Sequence, residues 1–131
     1  MIINIPLILA CVIIGVILYQ SFFIAPSINK VHNQKEASKY LRYIWPKFFL
    51  IITILSSLSL LSIFFLHTNK IIVTFFVISS ILFMLVCYFI VPTINKSKDD
   101  SKIKLWTILH LLTVTLTFIT LLLNISIIFY W

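Results

Sequence analysis

Glycine is almost absent from this chain. There is one, Gly15, in 131 residues, and acidic residues number only three. A nucleotide-binding turn or phosphate-cradling loop needs more glycine than this. Charged residues make up 10% of the chain, against about a quarter in an ordinary soluble domain. That excludes a disordered chain and a soluble enzyme of normal composition. Two cysteines, Cys11 and Cys87, are too few for a disulfide scaffold, and no CxxC or Cys/His cluster offers a metal site. No Ser-His-Asp set is present. No carboxylate lies within an apolar stretch, which disfavours paired-carboxylate chemistry and proton coupling through a buried acid.

What is abundant is apolar surface. Hydrophobic residues make up 62% of the chain and the mean hydropathy is +1.18. They fall into four blocks, about 2–26, 48–66, 71–92 and 105–131. Each matches the ~20 residues that cross a ~30 Å hydrocarbon layer. The expected fold is all-α, an integral membrane bundle of four transmembrane helices in a single domain. The first block lacks a basic n-region and a small-x-small site, so it reads as a retained helix and not a cleaved signal.

The net charge of +7 is confined to the segments between blocks. Lys30, Lys35, Lys39, Arg42 and Lys47 lie in or at the edge of the first, 27–47; Lys96, Lys98, Lys102 and Lys104 lie in the third, 93–104. The positive-inside rule makes both of these cytoplasmic loops and puts the N- and C-termini on the non-cytoplasmic side. The host would be a bacterial inner membrane or an organelle inner membrane. The expected partner is then a bilayer whose anionic headgroups meet Lys30, Lys35, Lys39, Arg42, Lys96 and Lys98, and not nucleic acid. Tyr40, Tyr43, Trp45 and Trp106 mark one interface, and Tyr130 and Trp131 the other.

The chain repeats itself. Residues 22–30 (FFIAPSINK) and 88–96 (YFIVPTINK) are identical at six of nine positions, 66 residues apart. Pro26, Asn29 and Lys30 stand in register with Pro92, Asn95 and Lys96. This predicts two tandem helical hairpins of one orientation, related by a pseudo-twofold axis along the membrane normal. Each proline should stop or kink its helix, with Asn and Lys meeting the freed carbonyls and the headgroups.

Within the first loop, Asn33 and Glu36 have capping-box spacing. Ala37, Tyr40, Leu41 and Ile44 recur at helical spacing. This segment reads equally as an amphipathic helix lying in the interface, ended by a bend at Pro46, or as an extension of the second span. Asp99 and Asp100 should favour the start of the fourth helix through its dipole.

Polar residues inside spans should face other helices. In the fourth, His110, Thr113, Thr117, Thr120 and Asn124 recur at steps of 3, 4, 3 and 4, a single stripe. Two readings fit it: a ligand or ion path with His110 as its most reactive group, or hydrogen-bonded helix packing. Gln20 is the main polar group of the first span. Ser56, Ser59, Ser62, Ser79 and Ser80 are small residues that permit close approach. His67 and His110 fall on opposite sides of the membrane and cannot share a metal.

Several short motifs resemble the transmembrane protein 205-like family, small four-helix membrane proteins carrying a domain of unknown function. Phe22–Pro26, with Gly15 upstream, is similar to that family's first-span ending. Trp45-Pro46-Lys47-Phe48-Phe49 resembles its second-span opening, and Tyr88–Ile94 its third-span ending. Leu109-His110-Leu111-Leu112-Thr113 resembles the opening of its fourth. Thr117 departs from the asparagine usual there. The resemblance implies a non-enzymatic four-helix membrane protein with no predicted cofactor, binding or passing a small solute or metal, or serving a larger assembly or homo-oligomer. The alternative is a resemblance to small four-helix protoporphyrinogen oxidases through Pro26 and His32, which would make it a haem- or porphyrin-linked oxidoreductase using His110. The chain lacks that family's first-span histidine and the arginine after its proline.

Overall fold

The computed structural model describes residues 4–66 and 70–131. His67, and with it most of the turn between the second and third spans, lies outside the described residues. Four helices are present: α1 (Ile5–Val31), α2 (Gln34–Phe65), α3 (Ile71–Asp99) and α4 (Ile103–Tyr130), all long and apolar enough to cross a membrane. Among the described residues there is no strand.

Short connections force antiparallel neighbours. α1 packs against α2 and α4, and α3 packs against the same two. The bundle therefore has a basic end, holding the α1–α2 and α3–α4 turns, and a terminal end, where Asn4 and Trp131 lie. The core forms two tiers. Nearer the basic end, Ile13, Ile17, Phe49, Ile52, Met84 and Cys87 pack together; nearer the terminal end, Ala10, Ile63, Val73, Val77 and Ile127 do. The outward faces are equally apolar. Phe22, Phe75, Phe89 and Phe118 are each more than half exposed. A water-soluble protein does not tolerate apolar surface on that scale, whereas lipid does.

The apolar blocks understate the helices. At about 1.5 Å per residue, helices of 27 to 32 residues run roughly 40–48 Å. The segment 27–47 is not a loop: α1 continues to Val31, the chain turns at His32–Asn33, and α2 starts at Gln34. Of the two readings of that segment, the extension of the second span holds. The Asn33 side chain accepts the Glu36 N–H at 2.9 Å, capping α2 as the spacing predicts. Glu36 itself turns to His32 Nδ1 at 3.5 Å.

Likewise 93–104 is mostly helix, with Asp100, Ser101 and Lys102 forming the turn. Asp99 does not start the fourth helix; it is the last residue of α3, and no acidic residue occupies the first turn of α4. A carboxylate at a helix C-terminus opposes the dipole. Here Arg42 offsets that cost with a two-pronged ion pair.

The prolines do not stop their helices either. Pro46 and Pro92 lie inside α2 and α3. Pro26 follows a π-turn at Gln20–Ile24, where Ala25 N–H bonds back to the Gln20 carbonyl. A wider turn gives the ring room where an α-turn would crowd it. This is also where the repeat loses its symmetry. α3 is α-helical at the equivalent position, and Asn95 is half-buried while Asn29 is exposed.

Cys87 is buried as expected of a packing thiol, but Cys11 is exposed on the lipid-facing side. Gly15 serves no close approach: a Cβ there would meet nothing within 4 Å. The terminal end is closed by Trp131, whose Nε1–H donates to Asn4 Oδ1 at 3.4 Å beneath Lys70, 4.3 Å from its ring.

Candidate functional site

The α4 stripe faces inward as its period requires. Thr113, Thr117, Thr120 and Asn124 are buried and His110 is half-buried. The hydroxyls are mostly occupied by their own helix. Thr113 donates to the His110 carbonyl at 2.8 Å, Thr117 to that of Thr113 at 2.8 Å, and Thr120 to that of Leu116 at 2.9 Å. Such back-bonding is how a lone hydroxyl survives in lipid. Asn124 does more: its amide donates to the Thr120 carbonyl at 2.9 Å and across to Ser80 Oγ at 3.3 Å. Ser80 in turn donates to the Phe76 carbonyl. From Thr117 to Asn124, then, the stripe lies inside packed core.

Other polar groups are less well served. Gln20 Nε2, Ser56 Oγ and Ser59 Oγ are buried without a hydrogen-bond partner. Gln20 begins the π-turn, so the amide and the irregular backbone coincide. Ser62 donates to the Ser59 carbonyl.

The basic end of the stripe opens onto a cavity. A space of about 100 Å³ lies between α2, α3 and α4, with His110 and Thr113 on its α4 side. From α3 come Asn95 and Lys98, and from α2 come Ser38 and Arg42. Trp45 and Trp106 flank it. His110 stacks on Trp106 with ring centroids 5.4 Å apart and 5° between planes. One turn of helix separates the two residues, so their side chains overlie one another. Lys98 Nζ sits 5.6 Å over the same indole and donates to Ser38 Oγ at 3.2 Å. The cavity thus holds two cations, an imidazole, an amide and two hydroxyls.

Its electrostatics are set partly by Asp99. The Arg42 hydrogen bonds hold the Asp99 carboxyl below the usual carboxylate range, and Asp99 raises Arg42 in return. Arg42 is therefore partly neutralised, and Lys98 is the cation left to face a ligand.

Of the residues singled out in sequence, His110, Thr113, Asn95, Arg42 and Lys98 meet at this cavity. Gln20, Thr117, Thr120 and Asn124 do not line it, and neither do Pro26, Asn29, Lys30, Pro92 or Lys96. Trp45 and Trp106, which the sequence places at one interface, line it too, and Ser38 is a polar cavity residue that the sequence reading did not single out. The available signal was spacing: Ser38 with Arg42, Asn95 with Lys98, and Trp106 with His110 are each one helical turn apart.

No group of three His, Cys, Asp or Glu side chains able to hold a metal exists among the described residues. One imidazole lines the cavity, and its volume falls well below the ~300–1,000 Å³ of ordinary ligand pockets.

No curated protein matches the chain, and no solved structure does. A family model does match, over residues 8–103, which takes in α1 to α3 and stops where α4 begins. The chain belongs to the family defined by that model, a domain of unknown function (DUF4149).

Proposed function

We propose that this is a non-enzymatic integral membrane protein that binds a small anionic ligand in the His110 cavity, with the basic end on the cytoplasmic side. The observation that carries the reading is the convergence of Lys98, Asn95, Ser38 and His110, from three helices, on one small space between two indoles. Hydrogen-bond donors of positive or neutral character dominate there, and no carboxylate lines it. The asymmetry of Lys and Arg supports the orientation. The motif resemblance to the transmembrane protein 205-like family agrees with a binding or transport role in a bacterial or organelle inner membrane. The nearby Lys30, Lys39 and Lys96 would draw anions and anionic headgroups toward the basic end.

The test is thermal unfolding, followed by intrinsic fluorescence, in nanodiscs of zwitterionic lipid. Anions, cations and neutral solutes are added in turn. At least one anion should raise Tm, because a ligand that binds only the folded state stabilises it. Lys98→Gln should remove that rise. No response to any anion, or a rise unchanged in Lys98→Gln, contradicts the reading.

A further inference from the structure

The cavity has three helical walls, not four. No residue of α1 lines it. After Tyr19 the first helix leaves α4: no Cα in Gln20–Val31 comes within 8 Å of one in Ile103–Tyr130. Its last segment, Ala25–Val31, packs against α2 alone among the other three helices and buries no residue. The π-turn is where this departure begins. At the terminal end, by contrast, Ile5–Tyr19 packs against both α2 and α4. In the basic half of the bundle α1 therefore does not pack on α4 as closely as it does at the terminal end, and the flanking α1 surface is apolar, with Phe22 and Phe23 exposed.

The donor geometry restricts what can fill the space. Ser38 reaches it from α2, Asn95 and Lys98 from α3, and His110 from α4. A carboxylate has two oxygens in one plane, which donors from one or two sides satisfy. A phosphate monoester has three terminal oxygens pointing in three directions, each able to accept more than one bond. The size agrees. About 100 Å³ is well below the ~300–1,000 Å³ of pockets that enclose a whole ligand, a size that suits an oxyanion head and not the rest of a ligand. Whatever the head is attached to must lie outside, and the less closely packed α1–α4 side is where it can.

We propose that the cavity is a binding site for a phosphate monoester, seated on Lys98, Asn95, Ser38 and His110, with the rest of the molecule leaving between α1 and α4. This rests on the anion-binding reading and narrows it to one chemical class. The apolar α1 flank on that side suits an acyl chain, so a lipid phosphate reaches the site from within the bilayer, and a soluble phosphate ester reaches it from the basic end.

Native mass spectrometry of the full chain released from phosphatidylcholine nanodiscs reads bound mass directly. The probes are phosphatidic acid, glycerol 3-phosphate and oleate, each added separately at equal concentration. The account expects phosphatidic acid to be retained at least about tenfold more than oleate. Lys98→Gln and Asn95→Leu should each reduce that retention, Lys98→Arg should restore most of it, and Lys35→Gln on the exposed basic face should leave it unchanged. Retention of glycerol 3-phosphate with the same dependence on Lys98 also supports the proposal and identifies a soluble source. Oleate retained as well as phosphatidic acid overturns the phosphate assignment and leaves the anion reading standing. Retention of no probe overturns both. Equal losses in Lys98→Gln and Lys35→Gln reduce the effect to general surface charge and overturn the site.

Discussion

Arg42 and Asp99, 57 residues apart, form a two-pronged ion pair that ties α2 to α3 at the basic end, with Nη1 to Oδ2 at 3.0 Å. The pair borders the cavity and fixes how far Arg42 can turn into it. Two charges on helix extensions beyond the apolar blocks are thereby used to hold the two central helices in register.

This pair predicts a pH dependence. The folded Asp99 carboxyl titrates below its unfolded value because Arg42 bonds its charged form. Its contribution is present above the ordinary carboxylate range and is lost as pH falls through the depressed folded value. Melting of the wild type should therefore drop across the acid range. Asp99→Asn should lower Tm at neutral pH and flatten that drop. An unchanged acid profile in Asp99→Asn contradicts the assignment. Asp99 is exposed and Arg42 partly so, so added salt should weaken the effect.

The α4 stripe yields a contrast between its members. Asn124 bonds Ser80 across the α3–α4 interface, while Thr120 bonds only its own helix. Asn124→Leu should destabilise the bundle, and a double-mutant cycle with Ser80→Ala should show coupling of about 0.6 kcal/mol, with ~1.7 kcal/mol as a ceiling for such bonds. Thr120→Val should change stability by about 1 kcal/mol or less. Neither should alter ligand retention. If Thr120→Val abolishes binding at the cavity, the stripe is a path and not packing.

Gln20 gives the opposite sign. Its amide is buried with Nε2 unpartnered, a situation that costs ~1–3 kcal/mol. Gln20→Met keeps the length and removes the polar group, so Tm should rise. A fall in Tm would show that the amide has a ligand or water to hold, and would move attention to the π-turn.

Much of the architecture was legible in the chain. Blocks such as 48–66 and 71–92 are long enough to cross a bilayer and too apolar for anything else, and the 3-4-3-4 spacing from His110 to Asn124 placed that stripe inward. The helix ends were not. Lysine and arginine make 27–47 and 93–104 look like loops by composition, yet both are mostly helical, because such side chains can lay their stems along a helix while the charged heads reach water. Periodic Ala37, Leu41 and Ile44 carried the true signal. Proline misled for a related reason: at Pro46 and Pro92 the helix continues with one bond fewer, and at Pro26 the chain widens to a π-turn. The cavity was illegible because it is built from three helices. Ser38, Asn95 and Trp106 become neighbours only once α2, α3 and α4 pack, and no local pattern encodes that. The departure of α1 after Tyr19 has one local cue, Pro26, which follows the π-turn that begins at Gln20.

The central claim is that the cavity beside His110 binds an anion. The chain has three tryptophans, and two of them, Trp45 and Trp106, flank the cavity. In Trp131→Phe the remaining fluorescence reports on the cavity alone. Titration of that variant with phosphatidic acid in phosphatidylcholine nanodiscs should give a saturable change in intensity or wavelength, and adding Lys98→Gln should abolish it. A flat titration, or one that Lys98→Gln leaves unaltered, contradicts the account.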